Sequence, residues 1–130
     1  MKLGWIGLGI MGTPMAGHLR AAGHELFVNT RSAVPKALQD AGAVACASPA
    51  EVAKKADVIF TMVPDTADVQ KVLFGESGIA SALAKGKTVV DMSSISPIET
   101  KEFARQVEAS GADWLDAPVS GGEVGAKAAS

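Results

Sequence analysis

Cysteine is almost missing from this chain: Cys46 stands alone among 130 residues, which excludes an internal disulfide and any cysteine-rich metal cluster. An excess of charge of either sign is missing too. Twelve basic residues against fourteen acidic ones leave a net charge of −2, which argues against a nucleic-acid surface and against a polybasic membrane patch. Long hydrophobic runs are absent, the longest being strand-sized and far below the roughly 20 residues that a membrane span needs. Aromatics make up only 5%, while Ala, Gly and Val are abundant within a 48% hydrophobic composition. That is the make-up of helices packed closely on a sheet. The first apolar run begins at residue 2 with no room for a leader before it, so a reducing cytoplasmic setting is expected. The length suits one domain or part of one.

What is present starts at that run. Lys2 to Ile6 is strand-like, and Gly7-Leu8-Gly9-Ile10-Met11-Gly12 follows at once as G-x-G-x-x-G. The three glycines have separate roles, with Gly7 allowing the sharp exit from the strand, Gly9 the close backbone approach to a pyrophosphate, and Gly12 the close packing of helix on strand. The unpaired N–H groups of the next helix and its dipole supply positive charge without a side chain. A strand before the triplet and a helix after it make a dinucleotide site the leading interpretation.

The rest of the chain alternates in the same way. Met11, Met15, Leu19 and Ala22 form a helical stripe ending at Gly23, with Pro14 tolerated in the first turn. Glu25 to Asn29 is a second strand, and a helix is expected from Ala33 to Asp40, capped by Ser32. Ala43 to Ala47 is a third strand. Ser48-Pro49-Ala50-Glu51 opens a brief helix as a capping box. Asp57 to Val63 is nearly continuous in apolar residues, as expected of a strand buried on both faces. A helix presenting Val69, Val72 and Leu73 closes at Gly75, and Glu76 to Gly86 reads as a loop with one helical turn. Thr88 to Met92 is the fifth strand. Ser96-Pro97-Ile98-Glu99 is a second capping box, opening a helix with Phe103, Ala104 and Val107 inward, and Trp114 to Asp116 is the sixth strand. The pattern predicts an α/β, Rossmann-type doubly wound parallel sheet with helices on both faces.

Ligands of such sheets bind beyond the carboxyl ends of the strands. The second strand delivers Asn29, Thr30, Arg31 and Ser32 about 20 residues after the triplet, where an acid would take the adenosine ribose 2′-hydroxyl. No acid is there. A hydroxyl, a guanidinium and a serine suit a 2′-phosphate, which favours NADP over NAD; the alternative for Arg31 is a solvated turn residue. The fourth strand delivers Val63, Pro64 and Asp65, the fifth Ser93 and Ser94. The sixth delivers Ser120, Gly121 and Gly122, a turn able to hold a carboxylate. His18 and His24 read as surface or capping residues. Cys46, among alanines, reads as an inert buried thiol. No metal-ligand spacing is present, and no metal is expected.

Three separated segments agree with one another: Gly7 to Ala16, Asp91-Met92-Ser93-Ser94-Ile95-Ser96-Pro97, and Asp116-Ala117-Pro118-Val119-Ser120-Gly121-Gly122. Together they resemble the β-hydroxyacid dehydrogenase family over the whole chain. Met62 to Thr66, Val72 to Glu76 and Ser93 to Thr100 are most similar to members that reduce tartronate semialdehyde to glycerate with NAD(P)H. The resemblance implies that Ser120, Gly121 and Gly122 bind the carboxylate of a small substrate and that the loops of Val63, Pro64 and Ser94 contact the cofactor. It also implies that the proton-donating lysine lies beyond Ser130, so that no catalytic residue is expected in this chain. Lys127 does not match that lysine's motif. The family's last strands of the cofactor domain and its helical second domain, which completes the site and the dimer, are likewise absent, so residues 1–130 are expected to be an incomplete dinucleotide-binding domain. The alternatives are a member acting on 3-hydroxyisobutyrate or 6-phosphogluconate, and a non-catalytic NADP-binding module.

Overall fold

Strand and helix alternate along the chain: β1 (Lys2–Ile6), α1 (Gly12–Ala21), β2 (Glu25–Asn29), α2 (Lys36–Asp40), β3 (Val44–Ala45), α3 (Pro49–Lys55), β4 (Val58–Thr61), α4 (Thr66–Phe74), a short 3-10 helix (Ile79–Ala82), β5 (Thr88–Asp91), α5 (Pro97–Ala109) and β6 (Asp113–Asp116). The structure is a computed structural model that describes residues 2–7, 12–30, 36–62, 66–92 and 97–116. All strand pairs are parallel, in the order β3-β2-β1-β4-β5-β6. That order reverses direction at β1, which is the signature of the doubly wound sheet and places a ligand crevice beside the β1 carboxyl end.

Helices lie on both faces. Ile6, Ile59 and Val89 of the strands meet Val52, Ala53 and Ala56 of α3, Val69 and Leu73 of α4, Ile79, and Phe103 and Val107 of α5 in one core. Leu3, Trp5, Leu26 and Val28 meet Ala16 of α1 and Leu38 of α2 in the other. Gly4 permits the close approach of α3 to β1, because a Cβ there would run into the Val52 side chain and lie 3.1 Å from the Ala56 Cβ.

The expected cap of α3 is present: Ser48 Oγ accepts from the Glu51 N–H at 3.2 Å, with Pro49 in the first turn. The Glu51 carboxylate accepts from the Ala47 N–H at 2.8 Å, one residue earlier than the usual box. At its other end, α3 is closed by Lys87, whose Nζ donates to Ala56 O at 2.7 Å.

Two expectations are corrected. β3 is Val44–Ala45 rather than Ala43 to Ala47, because α2 ends in a Schellman turn: Gly42, at φ +98°, donates to Gln39 O at 3.0 Å and Ala43 donates to Leu38 O at 3.0 Å. Ala43 therefore has no N–H left for the sheet. β4 is not buried on both faces; Ile59 and Thr61 are fully buried while Val58 and Phe60 are half-buried, since no helix of the described residues closes the face they share. The expected first residues of the second helix, Ala33 to Pro35, and the second capping-box serine, Ser96, lie outside the described residues.

Candidate functional site

Parallel register gathers the strand ends into a row: Asn29 of β2 is level with Ile6 of β1, Ile6 with Thr61 of β4, Thr61 with Asp91 of β5, and Asp91 with Asp116 of β6. The segments singled out in the sequence all leave the sheet from this one edge. Backbone bonds continue the ladder one residue past it, with the Met62 N–H donating to Ile6 O at 2.9 Å and the Met92 N–H to Thr61 O at 2.8 Å.

At the centre, Gly7 takes φ +91°, a left-handed backbone that a side chain would oppose. Its N–H donates to Asn29 O at 3.1 Å, and its carbonyl accepts from the Trp5 indole N–H at 2.9 Å. The first residue of the turn is thus held on both sides. α1 follows with no acidic residue in its first turn, whereas α3, α4 and α5 carry Glu51, Asp68 and Glu99 there. The positive end of α1 is therefore not offset by a carboxylate of its own, which fits a bound pyrophosphate.

The β2 end differs in detail from the sequence reading. Asn29 uses its amide nitrogen internally, donating to Cys46 O at 3.0 Å and tying β2 to the end of β3. Asn29 and Thr30 line a groove of about 310 Å³ shared with Ala47, Pro49, Asp68, Lys71, Val72 and Glu76. Sequence reasoning missed Lys71. Its signal was its place one residue before Val72, at the border of the apolar stripe of α4.

Between the β4 and β5 ends, Thr61 Oγ1 donates to Asp91 Oδ1 at 2.9 Å with both residues fully buried. A buried carboxylate needs such a donor, and the pair locks the two strand ends together. Cys46 is buried, and desolvation, with Glu51 nearby, pushes its thiol above the usual range, consistent with an inert thiol. His18 is exposed, and His24 is half-buried with its carbonyl accepting from Arg20 Nη1 at 3.0 Å. Leu8, Gly9, Ile10, Met11, Arg31, Ser32, Val63, Pro64, Ser94, Ser120, Gly121 and Gly122 lie outside the described residues. Among the described residues no cluster of three or more His, Cys, Asp or Glu could hold a metal, and no helix is long and apolar enough to cross a membrane.

Known proteins match this arrangement. The 2-hydroxy-3-oxopropionate reductase of Escherichia coli is 61% identical over 127 residues, covering 98% of this chain and 44% of its own length. The 3-hydroxyisobutyrate dehydrogenase of Mycobacterium tuberculosis, solved with L-serine, superposes with a TM-score of 0.86 at 34% identity, over 100% of this chain and 44% of that one. An imine reductase of Myxococcus stipitatus in complex with NADP+ gives a TM-score of 0.87 at 25% identity, over 96% of this chain and 43% of that one. The chain thus spans less than half the length of these relatives. The profile of the NAD binding domain of 6-phosphogluconate dehydrogenase matches residues 2–130. With the strand order, the glycine turn and this match in agreement, the chain belongs to the family of 6-phosphogluconate dehydrogenase NAD-binding domains.

Proposed function

We propose that this chain is the cofactor-binding part of an NADPH-dependent reductase that converts tartronate semialdehyde, 2-hydroxy-3-oxopropionate, to glycerate. The observation that carries the reading is the 61% identity to the E. coli reductase along nearly the whole chain. In this reading the pyrophosphate rests on the turn Gly7, Leu8, Gly9, Ile10, Met11 and Gly12, against the open positive end of α1. The adenosine half extends toward Asn29, Thr30, Arg31 and Ser32 and the groove beside Lys71. NADPH is favoured over NADH by the lack of an acid at the β2 end, and the imine reductase neighbour is itself solved with NADP+. Val63, Pro64 and Ser94 line the nicotinamide end, and Ser120, Gly121 and Gly122 hold the substrate carboxylate.

The cofactor supplies the hydride; the chain's residues bind and orient both reactants. The proton needed at the carbonyl oxygen comes from a lysine outside residues 1–130. A cytoplasmic homo-oligomer in glyoxylate metabolism is the setting this reading implies. The complete protein, assayed with tartronate semialdehyde and NADPH and separately with 3-hydroxyisobutyrate and NADP+, is expected to prefer the first pair. Faster turnover of 3-hydroxyisobutyrate would overturn the substrate assignment, and dinucleotide binding without turnover of either would favour a non-catalytic module.

A further inference from the structure

Trp5 stands at the second-last position of β1, 1% exposed, stacked on Phe60 with ring centroids 5.4 Å apart. It lies on the same face as the register partners Val28 and Phe60, and its ring leans along the strand so that the indole N–H reaches the carbonyl two residues on, Gly7 O at 2.9 Å. That carbonyl belongs to the residue where the strand becomes the glycine turn. Gly7 has the widest backbone freedom of any residue type, so a peptide plane leaving it is easily rotated unless something holds it. The ladder bond from its N–H to Asn29 O holds the peptide plane that enters Gly7, not the one that leaves it. Among the described residues, the plane that leaves it is held by Trp5.

We propose that Trp5 is a positioning residue for dinucleotide binding: by holding the Gly7 carbonyl it sets the first peptide plane of the phosphate-binding turn. The inference rests on the dinucleotide reading above. A loop held in its binding-competent form binds more tightly by the fraction of time it spends there, and loss of the bond lowers that fraction. The competing explanation is that the bond only satisfies a buried indole. Trp114 speaks against a need for that, because its indole N–H is also buried and has no hydrogen-bond partner among the described residues.

The test removes one N–H. In the complete protein, Trp5 is replaced by its benzothienyl isostere, which keeps ring size and stacking and lacks the donor, and Trp5→Phe serves as a second variant. Titration with NADPH is expected to show a dissociation constant raised about threefold to tenfold for both, the range of one net hydrogen bond. The same isostere at Trp114 leaves the constant unchanged. An unchanged constant in the Trp5 isostere, with any loss confined to melting temperature, overturns the inference while leaving the dinucleotide reading intact. Failure of the unsubstituted protein to bind NADPH or NADH overturns that reading and the inference with it.

Discussion

The face of the sheet beneath α3, α4 and α5 is sealed, whereas the face beneath α1 and α2 is sealed over only half its width. On the first, Ile6, Ile59 and Val89 are removed from water by three helices and the 3-10 turn. On the second, Leu3, Trp5, Leu26 and Val28 are buried near α1 and α2; farther along, Val90 is buried, but Val58, Phe60, Met62 and Met92 are only half-buried, and Leu115 on β6 is 56% exposed. α1 and α2 come from the connections among β1, β2 and β3, so they lie over that half of the sheet, and no helix of the described residues lies over β4 to β6 on that side. Among the described residues burial is therefore deepest on one face, while the row of strand ends is shared by both.

Three changes of decreasing size test that contrast. Leu73→Ala, at a fully buried position on the sealed face, is expected to cost about 2–5 kcal/mol by denaturant unfolding, whereas Leu115→Ala on the other face stays within about 0.5 kcal/mol. Equal losses would break the comparison. Gly4→Ala forces a Cβ against Val52 and Ala56 and is expected to cost about 1–3 kcal/mol by pushing α3 away from β1. A neutral outcome would mean that α3 shifts freely.

The smallest effect is one of pH. The Glu51 carboxyl is held below the usual carboxylate range by the Ala47 N–H, then by Lys55, whose Nζ donates to it at 3.2 Å. Its stabilisation of the α3 entry is thus present above the unfolded value, about pH 4.3, and is lost as pH falls below it toward the folded value. Glu51→Gln is expected to lower the melting temperature slightly at about pH 7, and the difference is expected to shrink as pH falls below about 4.3. On α5, Arg105 and Gln106 hold Glu102 down to about 2 in the same sense, but that exposed pair caps no helix end, and breaking it is expected to change stability less.

Local chemistry was legible in the sequence wherever one residue type dictates backbone geometry. The Gly7 turn, the Ser48 cap with Pro49, the bounds of β2 and the close of α4 at Gly75 all follow from single residues with narrow structural roles. Expectations failed where the outcome depends on what lies across the fold. The apolar run of β4 does not disclose that Val58 and Phe60 face a half-covered side, and Ala43 does not disclose that its N–H closes a helix. The site divides in the same way. The strand-end row and the sharp backbone at Gly7 were foreseen, but the use of the Asn29 amide on Cys46 and the Thr61–Asp91 pair depend on strands brought together from distant sequence, and the Trp5 bond depends on a side-chain orientation that residue types alone do not disclose.

The central claim is that the carboxyl edge of this sheet receives a phosphorylated dinucleotide around Gly7. Isothermal titration of the protein with NADPH and with NADH tests it directly. Saturable binding of NADPH at one site per chain, tighter than that of NADH, is the predicted result, and the absence of saturable binding with either would contradict it.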